Sequence, residues 1–239
     1  MSKHPTGLGL VVTAGGYGLR LGAGGPKQYA PLLGIPMVQR TIAALDSCPV
    51  VTTLVVVVND EDVDFCAAEI VCEQFEKVMA VVAGGAERAL SVRNGLARLA
   101  AETTLLYAGV HDGARPLVAC ADVERVVARL DADPTLQGAL VGLPSTDTVK
   151  LIDSEGLIAE TLPRHRVWRA QTPQIFRWES LLAAYAQPDD VLFAATDDAS
   201  LVERLGGRVA IVQGSPENLK VTDALDLRVA EHLLAERRR

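Results

Sequence analysis

Short apolar runs recur along the chain at residues 8–12, 53–58, 78–83, 107–110, 139–143 and 209–212. Each is rich in Val or Leu and lacks clean alternation of apolar and polar positions, which is how strands covered on both faces read. Between them, apolar positions return at helical spacing over residues 38–45, 63–75, 91–101, 122–130, 179–186, 198–205 and 223–236. This alternation predicts an α/β fold: a Rossmann-like, mostly parallel sheet with helices on both faces. Ligands of such sheets collect outside the carboxyl ends of the strands. Candidate chemistry is therefore expected just after each apolar run.

Composition narrows the picture. A chain of 239 residues with 49% hydrophobic content can bury a substantial core, and it fits one domain over residues 1–239 better than two small ones. The net charge of −7 opposes a nucleic-acid or membrane-surface role, which needs a broad basic face. Cys48, Cys66, Cys72 and Cys120 show neither Cys-x-x-Cys pairing nor zinc-ligand spacing with His, so buried free thiols are expected. No apolar run approaches a membrane span, and the N-terminal one is too short for a signal peptide. A cytoplasmic protein is expected.

The first strand runs into Thr13-Ala14-Gly15-Gly16-Tyr17-Gly18-Leu19-Arg20-Leu21, followed by Pro26-Lys27-Gln28. Glycines leave backbone amides open to a close-approaching group, and amides beside Arg20 and Lys27 suit a polyphosphate. The spacing fits neither familiar glycine-rich loop. Leu21 stands where the dinucleotide fingerprint has its third glycine, and Lys27 lacks the Gly before it and the Ser or Thr after it that a P-loop requires. The glycines alone read equally well as an ordinary strand-to-helix turn.

Later strand ends carry further motifs. Gly84-Gly85-Ala86-Glu87-Arg88-Ala89-Leu90-Ser91 offers close approach to a flat base through Gly85 and a hydroxyl from Ser91, which is equally suited to capping a helix. In His111-Asp112-Gly113-Ala114-Arg115-Pro116, Asp112 is a carboxylate suited to a hard cation such as Mg²⁺ beside phosphates, although a lone Asp more often starts a turn. His111 reads as structural. Extended segments around Asp153-Ser154-Glu155-Gly156 predict a projecting β-hairpin at about residues 144–168. Thr196-Asp197-Asp198-Ala199 reads as a helix cap.

Together these motifs resemble those of the 2-C-methyl-D-erythritol 4-phosphate cytidylyltransferase family of the sugar and polyol nucleotidyltransferases. The resemblance runs from Val11 to about Glu231. It implies transfer of CMP from CTP to methylerythritol phosphate with release of pyrophosphate, in non-mevalonate isoprenoid precursor synthesis. It further implies Mg²⁺ or another divalent cation on Asp112 and a homodimer formed through the hairpin arm. By resemblance, Arg20, Lys27 and Lys220 are the catalytic cations, and Ala14, Gly15, Gly16, Gly18, Gly85, Ser91, Asp112 and Gly113 bind the nucleotide. Thr148, Arg164, Thr172 and Arg115 bind the polyol phosphate, with Thr148 and Arg164 acting in the neighbouring subunit's site. Gln171-Thr172-Pro173-Gln174 would be a turn beside the substrate, and the Asn-x-Lys-Val-Thr stretch at 218–222 would bring Lys220 to the α-phosphate. Thr13, Gly15, Ala86 and Gly113 depart from the family's usual residues, which are Pro and Ala in the first loop, often an acidic residue at the third position, and Ala at the fourth. A ribitol 5-phosphate cytidylyltransferase is the alternative, and a non-catalytic nucleotide-binding protein a more distant one.

Overall fold

The computed structural model describes residues 7–16, 26–102 and 105–237. Strand β1 (Leu8–Thr13) is followed by a 3₁₀ turn (Lys27–Tyr29), a minimal hairpin of β2 (Pro31–Leu32) and β3 (Ile35–Pro36), helix α1 (Met37–Asp46) and strand β4 (Val51–Val58). Helix α2 (Val63–Phe65) widens into π turns over Cys66–Val71 before β5 (Val78–Ala83), α3 (Arg88–Glu102) and β6 (Tyr107–Asp112). Then come α4 (Cys120–Ala132), β7 (Gly138–Pro144), the short strands β8 (Lys150–Ile152) and β9 (Ile158–Thr161), and β10 (Trp168–Arg177). The chain ends with α5 (Trp178–Tyr185), α6 (Asp189–Phe193), α7 (Asp198–Arg204), β11 (Val209–Gln213) and α8 (Ala224–Arg237).

Among the described residues these elements form a seven-stranded sheet in the order β11-β7-β10-β6-β1-β4-β5, parallel except for β10, which runs antiparallel to both neighbours. Side chains alternate across the sheet and so divide the core in two. Leu8, Leu10 and Val12 join Ile42 and Leu45 of α1 and Val123 and Val126 of α4 on one face. Val11, Val55, Val57 and Val110 join Leu96 and Leu99 of α3, Leu181 of α5 and Leu201 of α7 on the other. Helix α1 shows how the sequence sets such packing: Val38, Thr41, Ile42 and Leu45 recur at helical spacing and all are buried.

Six expected strands are present. The seventh, β10, was not expected, because residues 163–169 read as arm and 171–174 as a turn. Its centre carries little hydrophobic signal: Gln171, Thr172 and Gln174 are buried polar residues. Pro173 has no amide hydrogen to give to a ladder, and pairing with β7 shifts register between Ala170 and Gln174. The strand is held instead by side chains. Gln174 Nε2 donates to Asp197 Oδ2 at 3.0 Å while its Oε1 accepts from the Ala199 amide at 2.9 Å.

The cysteine expectation also needs correcting. Cys48, just after α1, and Cys120, which opens α4, are paired with Cα atoms 5.2 Å apart. They are 72 residues apart in sequence, so only the packing of the two helices on one face brings them together. Cys66 is a buried free thiol, pushed up to about 11 by burial, and Cys72 is exposed.

Residues 150–161 form the expected hairpin. Both strands are exposed throughout, and Asp153 orders the turn by accepting from the amides of Glu155 and Leu157 at 3.0 and 2.9 Å, with Gly156 at φ +80°. No described helix is long and apolar enough to cross a membrane.

Candidate active site

Register brings four strand ends together. Thr13 of β1 lies beside Asp112 of β6 and Val57 of β4, and Val58 lies beside Ala83 of β5. The segments that leave these strands therefore share one edge of the sheet. They enclose a cleft of about 380 Å³ whose wall includes Ala14, Gly15, Gly16, Lys27, Asn59, Gly85, Arg88, Ser91, Asp112 and Lys220. Residues from four separate sequence motifs, together with Asn59, thus line one space. Gly18 and Arg20 lie outside the described residues.

Asp112 is the electrostatic centre. Lys220 Nζ is 3.0 Å and Arg115 Nε 3.3 Å from its Oδ2, and an Arg88 nitrogen is 3.8 Å from its Oδ1. Burial alone would raise its pKa, but Lys220, Arg88 and Arg115 outweigh that and hold the carboxyl well below the ordinary range. It is therefore ionised throughout the neutral range. Lys220 is placed by its neighbours: the Val221 amide donates to Ala114 at 2.8 Å, and the fully buried Asn218 donates from Nδ2 to the Thr172 carbonyl at 2.8 Å.

Arg88 is fixed from behind. Its guanidinium donates to both oxygens of Asp198, at 3.0 and 2.9 Å, and the Tyr185 hydroxyl donates to the same carboxylate. Two parallel hydrogen bonds of this kind set direction as well as position. Asp198 is fully buried. The capping role expected of 196–199 belongs to Asp197, whose side chain accepts from the Ser200 amide.

Several predicted site residues, on the cleft wall or off it, are engaged within the fold. The Ala14 amide donates to Val57 at 2.7 Å, which commits it to the sheet edge. Ser91 Oγ accepts from the Gly85 amide at 3.0 Å and donates to the Glu87 carbonyl at 3.2 Å, closing the loop onto α3. Gly113 is off the cleft wall, and a Cβ there would stand 3.0 Å from the Thr13 carbonyl oxygen, so the chain has little room for the family's Ala. Arg115 is buried and gives NH1 to the Asn218 carbonyl at 2.8 Å.

Thr172 is buried behind Asp112, inside β10 rather than on a turn. Its Oγ1 accepts from the Asp112 amide at 3.0 Å and lies 3.1 Å from His111 Nδ1. His111 Nε2 faces the Arg115 carbonyl at 3.4 Å, which only accepts, so the neutral ring carries its hydrogen there and Nδ1 accepts from the Thr172 hydroxyl. Burial lowers the imidazole to about 4, so it is neutral and structural. Thr148 and Arg164 are exposed on the arm side and do not line this cleft, and Arg164 donates to the Thr146 carbonyl at 3.3 Å.

Asn59 and the Arg88–Asp198 clasp were not singled out from sequence. Asn59 had a usable signal, since it directly follows an apolar run whose end was expected to face ligand. Gly15 is explained by it: a Cβ at Gly15 would stand 3.0 Å from Asn59 Oδ1. The departure from Ala thus makes room for a neighbouring side chain and is not needed for an unusual backbone angle.

Comparison with known proteins agrees with this geometry. The family model for 2-C-methyl-D-erythritol 4-phosphate cytidylyltransferase matches residues 8–236. A curated relative of that name from Syntrophotalea carbinolica is 43% identical over 94% of this chain and 95% of its own, and one from Pelotomaculum thermopropionicum is 41% identical over 95% and 94%. A crystal structure of 4-diphosphocytidyl-2C-methyl-D-erythritol synthase from Anaerococcus prevotii superposes with a TM-score of 0.83 at 25% identity, covering 96% of both chains. The Thermus thermophilus cytidylyltransferase structure superposes with a TM-score of 0.72 at 28% identity, covering 97% of this chain and all of its own. With the model match, the full-length relatives and the strand-end cleft in agreement, the chain belongs to the 2-C-methyl-D-erythritol 4-phosphate cytidylyltransferase family.

Proposed function

We propose that this enzyme transfers CMP from CTP to 2-C-methyl-D-erythritol 4-phosphate, releasing pyrophosphate. The observation that carries this reading, beside family membership, is the cleft at the ends of β1, β4, β5 and β6, where Lys27 lines the wall and Lys220, Arg88 and Arg115 surround one ionised carboxylate. An oxygen of the incoming phosphate attacks the α-phosphorus of CTP. The new P–O bond forms as the bond to the β-phosphate oxygen breaks, and the electron pair leaves with pyrophosphate.

Two anions must meet, so the protein's contribution is positioning and charge stabilisation. Lys27 starts the 3₁₀ turn and its chain runs past Gly16, where a Cβ would stand 3.5 Å from Lys27 Cε. There it steadies the β- and γ-phosphates, with Arg20 assigned to the same task by resemblance. Lys220 offsets charge at the α-phosphate. No general base is required, because the attacking phosphate is already largely ionised near neutral pH.

Asp112 fits a divalent cation by its chemistry: it is an ionised oxygen donor on the cleft wall, and its Oδ1, with Arg88 no nearer than 3.8 Å, would be the oxygen offered while Oδ2 stays with Lys220 and Arg115. When bound, Mg²⁺ would supply further charge neutralisation at the phosphates. Among the described residues no group of three acidic, His or Cys side chains that could hold a metal ion is found.

The exposed arm supports a homodimer in which Thr148 and Arg164 reach the partner's polyol phosphate. Leu151, Ile152, Leu157 and Ile158 expose 47–66% of their surface on a two-stranded hairpin with little core of its own. Mixing Arg164→Ala with Lys220→Ala subunits, each inactive alone, is expected to restore partial activity. Mixed dimers that form and stay inactive would count against the exchange. The activity itself is tested by pyrophosphate release with CTP, comparing methylerythritol phosphate with ribitol 5-phosphate. Turnover with the first and little with the second is expected, and the reverse would overturn the assignment.

A further inference from the structure

The cleft contains a side chain whose orientation suits it to read the base, an inference that rests on the cleft being a cytidine nucleotide site. Strand β4 lies between β1 and β5, so Asn59, the residue that follows it, stands between the loops at 14–16 and 84–86. It is half-buried and lines the cleft. Lys27, Lys220 and Asp112 suit the phosphates, which leaves the Asn59 and Gly85 side for the base. Polar side chains free to contact a base are scarce there. Ala86 offers no polar atom, Ser91 is engaged with its own loop, and Arg88 is clasped by Asp198, which leaves the exposed carboxylate of Glu87 on the cleft wall as the rival acceptor to Asn59.

The amide of Asn59 has a defined direction. Its Nδ2 donates to Asp62 Oδ2 at 3.4 Å, and Gln28 Nε2 donates to the same oxygen at 3.4 Å. An ionised carboxylate only accepts, so Asp62 selects the NH₂ end of each amide. Asn59 Oδ1 is turned the other way, towards Gly15, and no described residue donates a hydrogen bond to it. Asp62 does not itself line the cleft.

We propose that Asn59, oriented by Asp62, is a specificity-determining residue for cytosine. Its Oδ1 accepts from the exocyclic amino group of cytosine and opposes the carbonyl oxygen that uracil carries at the same ring position. Asn59 thereby supplies a side-chain acceptor in a chain that has Ala86 where the family often has an acidic residue. Gly15 belongs to the same device, since a methyl group there would crowd the oxygen.

The test is pyrophosphate release from CTP and from UTP at saturating methylerythritol phosphate and Mg²⁺, with thermal melting of every variant. Asn59→Ala is expected to reduce the ratio of kcat/KM for CTP over UTP by about 10–100-fold, chiefly through KM. Asp62→Asn can donate where Asp62 accepts, which frees the amide to turn round. It is expected to lower the same ratio at least about fivefold without touching the cleft. If Asp62 were only structural, this variant would lower the melting temperature and the kcat for both nucleotides and leave their ratio unchanged. Glu87→Ala, which removes the rival carboxylate on the cleft wall, is expected to leave the ratio within about twofold if Asn59 is the reader. An unchanged ratio in Asn59→Ala, or a collapse of the ratio in Glu87→Ala, would overturn the assignment while the cytidylyltransferase reading stands. A wild-type enzyme that releases no pyrophosphate from CTP would overturn both.

Discussion

Thr172→Val distinguishes a residue that holds the site together from one that touches substrate. The substitution keeps shape and removes only the hydroxyl. In the protein that hydroxyl accepts from the buried Asp112 amide at 3.0 Å and gives its hydrogen to His111 Nδ1 at 3.1 Å. Valine orphans both groups, and a change of His111 tautomer does not help, because Nδ1–H would then lack an acceptor. Each buried orphan costs about 1–3 kcal/mol, so roughly 2–6 kcal/mol of stability is expected to disappear. A domain in the middle or upper part of the ordinary range of roughly 5–15 kcal/mol would still be mostly folded at 25 °C. Urea unfolding followed by circular dichroism measures the loss as a lower midpoint at unchanged slope. Thr172→Ser, which keeps the oxygen, is expected to stay within about 1 kcal/mol of the wild type. KM for the polyol phosphate is expected to be nearly unchanged in folded Thr172→Val. A stability loss below about 1 kcal/mol combined with a large rise in that KM would refute the reasoning and restore Thr172 as a substrate ligand.

Three further outcomes follow from the site. Lys27→Ala and Lys220→Ala should each reduce turnover on the order of a hundredfold at saturating CTP and Mg²⁺, the scale of losing one preorganised charge donor. Near-normal turnover in either would remove that lysine from the catalytic set. Burial holds His111 at about 4 against an ordinary 6.5, so as pH falls through this window the unfolded chain takes up a proton that the folded protein refuses. Stability is therefore complete above about pH 6.5 and lost on acidification, by roughly 3 kcal/mol at pH 4. Melts of wild type and His111→Asn should diverge in that range, and parallel profiles would contradict a neutral buried imidazole. Gly15→Ala should cost less than about 1 kcal/mol in unfolding assays, since the Asn59 amide can give way. Its KM for CTP should nevertheless rise several-fold, and an unchanged KM would show that Gly15 and Asn59 are independent.

The sequence by itself determined the parallel α/β class, six of the seven strands of the main sheet, and the motifs that line the cleft. Runs such as 53–58 and 107–110 are apolar enough to be read without context, and the rule that ligands sit at parallel strand ends placed the next residues on one edge. Spacing also exposed the arm, because its turn chemistry is local. Tertiary structure alone decided which polar residues are used by the fold and which face the ligand. Strand β10 was hidden because Gln171, Thr172 and Gln174 are buried through hydrogen bonds to residues as distant as Asn218 and Asp197, and no local pattern signals such partners. For the same reason Asp197 and Asp198 look alike in sequence, yet one caps a helix and the other clasps Arg88 from 110 residues away. The pairing of Cys48 with Cys120 and the facing of Gly15 and Asn59 likewise depend on helices and strands that meet only after the chain has folded. A residue's type sets what it can bond; packing decides what stands within reach.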